Sequence, residues 1–117
     1  MAAAIGQVIA ALRAEIPIEL RSAPESGEYL EGVLLREDLS RCQVLLAGHL
    51  GGPVKDFGVV AKLDRATAKT IEKLGGVWTN QCLFLSRLEA QSAIYAMLWP
   101  WGSDASRITL KVGIVKL

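Results

Sequence analysis

A chain of 117 residues with 13 basic side chains, 12 acidic ones and a single histidine carries a net charge of +1. That is too little for a long-range field to draw it toward nucleic acid, an acidic membrane or another polyanion, and too little to hold copies of the chain apart. With 51% apolar and 21% charged residues the composition excludes a disordered chain, and the length suits one domain spanning 1-117.

The chain opens with MAAAIGQVIAAL, which lacks the basic flank and small-residue cleavage site of a secretory signal. No apolar run reaches the roughly 20 residues that span a bilayer. Ile5, Val8, Ile9, Leu12 and Ile16 recur at helical spacing, so a first helix is predicted over about 3–15, stopped by Pro17. Ile18 and Leu20 then alternate with Glu19 and Arg21, SAPESG makes a loop, and YLEGVLLR resumes the extended pattern. This predicts a hairpin of 17–22 and 28–36.

Leu39, Cys42, Leu45, Leu46, His49 and Leu50 form a second helical stripe, with Asp38 as N-cap and Gly51-Gly52-Pro53 as stop, which predicts a helix over 39–50. A loop with room for a short strand at 57–61 leads to Asp64, the expected N-cap of a third helix ending at Leu74-Gly75-Gly76. Three extended segments follow: 77–87, 92–101 and 107–117. Fold class α+β follows: a mostly antiparallel sheet of about five strands, three helices packed on one face, and a C-terminal three-strand meander.

The last two strands carry the most specific feature, AMLWPWGSD. Closing the hairpin over 102–106 sets Trp101 beside Arg107, Trp99 beside Thr109, Met97 beside Lys111 and Tyr95 beside Gly113. Ile94, Ala96 and Leu98 meet Ile114, Val112 and Leu110 on the opposite face, which reads as core. The first face mixes rings and Met with Arg, Thr, Lys and Gly, the residue types enriched at the centres of protein interfaces. Gly113 leaves space for a ring or a ligand against the backbone. Two structural readings stand beside the interface: helices cover this face too, or Arg107 and Lys111 lie over the rings and only stabilise the hairpin.

Chemistry is thinly represented. One histidine cannot build a His-His metal site. Cys42 and His49 share a helical face but lie two turns apart, roughly 10 Å along the axis, too far for a thiolate and its base. Cys82 reads as packing, and two cysteines without a CxxC pair point to a reducing, cytoplasmic setting. The paired glycines follow helices, so they are C-caps and not phosphate loops. Arg65, Lys69 and Lys73 form a basic stripe opposite Leu63, Ile71 and Leu74, either a solvated surface or a contact for anions.

The expectation is therefore a non-catalytic interaction module. It self-associates as a homodimer or docks on a protein partner through Tyr95, Met97, Trp99, Trp101, Arg107 and Lys111. No cofactor, metal or membrane is expected, and the neutral charge weighs against a single-stranded nucleic-acid platform built on the same rings. The alternative is a small-molecule or enzymatic pocket between the sheet and helix 39–50, with Cys42 or His49 at its wall.

Overall fold

The computed structural model describes residues 2–25, 27–58, 65–73, 75–76, 80–89 and 91–116. Its elements follow the hydrophobic patterning closely. Helix α1, Ala2–Glu15, buries Ile5, Val8 and Leu12, and its chain continues into buried Ile16, whose N–H reaches the Leu12 carbonyl at 2.9 Å before Pro17 ends the helix. Strands β1, Glu19–Ser22, and β2, Leu30–Leu35, pair antiparallel as the first hairpin.

Helix α2, Leu39–Leu50, has the expected bounds but a different start. Asp38 makes no side-chain cap; it closes a single 3-10 turn, Arg36–Asp38, in which the Leu39 N–H bonds to the Arg36 carbonyl. That turn supplies a backbone acceptor where a side-chain cap was expected, and the Asp38 carboxylate pairs with Arg41 instead.

The buried arc of α2 runs through Cys42, Leu46 and Leu50. His49 was expected in this stripe and is exposed, because the arc centres on Leu46 and leaves the Leu45 and His49 margin open.

Helix α3, Arg65–Lys73, is closed by two glycines in the left-handed region, φ 91° at Gly75 and 87° at Gly76. Their N–H groups bond to the carbonyls of Glu72 and Ile71, the C-terminal signature expected from the Gly-Gly pair. The anticipated cap Asp64, the apolar partners Leu63 and Leu74, the rest of the possible strand at 59–61 and the segment 77–79 lie outside the described residues. Near that possible strand the described contact comes earlier, as an isolated antiparallel bridge of Lys55 with Leu83. Lys55 is itself buried, and its ammonium donates to the carbonyls of Asp56 at 2.6 Å and Gln81 at 2.7 Å.

Strands β3, Cys82–Glu89, β4, Ser92–Pro100, and β5, Arg107–Lys116, form the meander. The five strands make one antiparallel sheet in the order β1-β2-β5-β4-β3. One face carries Leu30 and Leu34, Ile108, Leu110 and Val112, Ala96 and Leu98, Cys82 and Phe84, all packed with α1 and α2 into the main core.

The opposite face is where the structure departs from the expected layering. Ile71 of α3 packs there with Leu83 and Met97, and Tyr95 and Trp99 border the contact. Two helices thus cover one face and the third covers part of the other. The reason lies in β4: its near-continuous apolar run is buried on both faces, whereas β5 alternates and is buried mainly on one. Among the described residues no helix is long and apolar enough to cross a membrane.

Candidate interaction face

The hairpin register is the one its loop length implies: Tyr95 opposite Gly113, Met97 opposite Lys111 and Trp99 opposite Thr109. Trp101 joins through its N–H to the Arg107 carbonyl at 3.0 Å. The space beside Gly113 is already taken. A Cβ there would sit 2.7 Å from the Tyr95 hydroxyl oxygen and 2.9 Å from its ring carbons, so the ring of Tyr95 itself lies against the backbone. Met97 is only 5% exposed beneath Ile71, which removes it from the accessible stripe.

Trp99 and Trp101 are half-buried, and each is held by its neighbours. The Lys111 ammonium lies 5.2 Å from the centre of the Trp99 ring, and the Arg107 guanidinium 5.6 Å from that of Trp101. The indole N–H of Trp101 donates to the Thr109 hydroxyl at 2.8 Å. The hairpin-stabilising contacts considered from the sequence are therefore present, yet both rings keep part of their surface open.

The cations are anchored in turn. Arg107 reaches Asp104 at 3.2 Å and Glu19 at 3.5 Å, and Lys111 reaches Glu31 at 3.9 Å. Tyr29 donates its hydroxyl to the same Glu31 at 2.8 Å. Asp104 accepts from the Ser106 N–H and hydroxyl, and these bonds, with Arg107 nearby, hold its carboxyl below the usual range. Burial raises the Tyr29 and Tyr95 phenols, with Glu31 adding to both, so they stay protonated at neutral pH.

Glu19, Tyr29 and Glu31 were missed from the sequence. They reach the face only because β2 pairs with β5, setting Glu31 opposite Lys111 across a long separation in the chain. The alternation of Tyr29, Glu31 and Val33 with Leu30 and Leu34 was the available signal. Where this face meets the end of α3, a cleft of about 320 Å³ opens between Tyr29, Tyr95, Trp99, Lys111 and Lys73.

The remaining expected residues separate. Cys42 is fully buried in the main core, while exposed His49 borders a groove of about 590 Å³ shared with Ile16, Val44, Leu45 and Gly48. That groove lies along α2 and the end of α1, not between α2 and the sheet, and Cys42 does not line it. Cys42 and Cys82 are free thiols, raised by burial to about 12 and about 11 respectively. Arg65, Lys69 and Lys73 are all exposed on α3, and Lys73 donates to the Lys116 carbonyl at 3.2 Å. Among the described residues no group of three His, Cys, Asp or Glu is placed to hold a metal ion.

Compared with protein-family models, with curated proteins and with solved structures, the chain matches none.

Proposed function

We propose that the chain is a non-catalytic interaction module that docks on a protein surface through Trp99, Trp101, Tyr95, Arg107 and Lys111, with a second copy of itself as the simplest partner. The observation that carries this reading is that two half-exposed tryptophans are fixed before any partner arrives. Thr109 and Arg107 hold Trp101, and Lys111 holds Trp99. Rings ordered in advance lose less rotamer freedom on binding, and each Trp can contribute on the order of 150 to 250 Å² of buried surface. Arg107 and Lys111 frame them with charge, as polar rims frame apolar anchors. The two unpaired thiols support a reducing, cytoplasmic setting.

Native mass spectrometry of the wild type and of Trp99→Asp tests this. A dimer that falls to monomer in the variant is the expected result. An unchanged assembly mass together with unchanged solubility would sink the reading.

A second reading rests on the groove along α2, where Val44 is 74% exposed above Leu45 with Arg41 and His49 at the rim. There the function would be small-molecule binding, with His49 but not Cys42 at the wall. A monomer carrying added mass that Val44→Asp abolishes would move the function to this groove.

A further inference from the structure

Two cations of the basic stripe of α3, Lys69 and Lys73, are joined by a third from the sheet. Packing α3 on β3 and β4 creates a hollow of about 380 Å³, with Lys69 and Lys73 on one side, Arg87 of β3 on the other, and Leu85, Ala93 and Val54 among its apolar lining. Ala93 is 1% exposed while the three cationic residues are open to solvent, so the site is apolar within and positive at its rim. No carboxylate lines it among the described residues. The ion pairs of the described residues lie elsewhere, on Arg21, Arg41, Arg107 and Lys111. Its volume falls at the small end of the range in which proteins hold small molecules, roughly 300 to 1,000 Å³.

We infer that this hollow binds a single-chain carboxylate: an apolar tail against Leu85, Ala93 and Val54, and a carboxylate head among Arg87, Lys69 and Lys73. Arg87 offers the planar, paired donors that match a carboxylate, and the two ammonium groups add charge from the helix side. An alcohol of the same length would fill the floor and leave the rim unanswered. A carboxylate without a tail would meet only solvent-screened lysines and arginine. The hollow shares Lys73 with the cleft beside the aromatic face, but Lys69 and Arg87 line the hollow and not that cleft, so variants at these two positions test it apart from protein docking there.

The test is a titration of octanoate, octanol and acetate followed by the methyl NMR signals of Val54, Leu85 and Ala93. Octanoate is expected to shift these methyls saturably, octanol to bind about tenfold more weakly, and acetate to leave them in place. Lys69→Met and Arg87→Met are each expected to weaken octanoate about fivefold and to leave octanol unchanged, and Arg107→Met to change neither. Lys69 is an exposed helix position, so its variant keeps the test valid even if Arg87→Met unfolds the strand. Equal affinity for octanol and octanoate, or octanoate shifts confined to other methyls, would overturn the assignment. So would retention on phosphatidylserine vesicles without a response to octanoate, which would reassign the rim to a membrane surface.

Discussion

The two faces of the sheet solve the same burial problem differently. On one, strands β2 to β5 present apolar side chains in register, and α1 and α2 cover them with a continuous core. On the other, the apolar stretch centres on β3 and β4, where α3 covers it through Ile71, while β5 and β2 add only single buried valines, Val115 and Val33. The remaining half, on β5 and β2, carries Arg107, Thr109, Lys111 and Glu31. Trp99 and Trp101 stand at the boundary between covered and uncovered halves, which is why both are half-buried. The lesson is that an aromatic stripe beside cations can seal the edge of a small core and still offer surface to a partner.

The largest test of this contrast is truncation on each face. Phe84→Ala, within the continuous core, is expected to cost about 3 to 5 kcal/mol in denaturant unfolding. Met97→Ala, under a single helix, should cost about 2 kcal/mol, at the low end for such a truncation. Equal losses would erase the distinction between the faces.

Gly32→Ala comes next. A Cβ there would meet Ile18 and come within 2.9 Å of the Glu19 carbonyl oxygen, backbone that cannot swing aside. A loss of about 2 kcal/mol is expected, read from the same unfolding curves. A smaller effect belongs to Trp101→Phe, which removes the bond to Thr109 and part of the ring beneath Arg107. It should cost about 1 kcal/mol and broaden the indole-free hairpin signals in NMR.

The pH profile sharpens the comparison last. Asp104 is held below its ordinary value in the folded state, so its contribution is present at neutral pH and lost as pH falls through the folded value. The hairpin loop on the aromatic face should therefore loosen in acid before the main core does, seen as earlier loss of the Trp101 indole shift. The buried thiols act at the other end. Cys42 and Cys82 keep their protons more tightly folded than unfolded, so stability should decline as pH rises above 9.0 toward 11 and 12. At neutral pH iodoacetamide should label both cysteines only as fast as the protein opens; rapid labelling of the native state would contradict their burial.

Much of this was legible in advance. The bounds of α2, the stop of α1 before Pro17, the Gly-Gly end of α3 and the hairpin register all follow from local rules: side-chain period, caps and loop length. The placement of α3 was not, although the unbroken apolar run of β4 was a signal of burial on both faces. Asp38 failed as a cap because a preceding 3-10 turn offered backbone acceptors, a choice that a lone Asp before an apolar stripe does not reveal. His49 matched the stripe by spacing and left it by a small rotation of the buried arc.

Periodicity within a segment determines which side chains share a face, because that depends on backbone geometry repeated over neighbouring residues. Which faces meet depends on strand order and helix placement, and these are settled by the burial of the whole chain at once. So the sequence alone determined the aromatic stripe and the basic stripe of α3 as separate features. Only the tertiary structure buried Met97, brought Glu31 to Lys111, and set Arg87 across from Lys69.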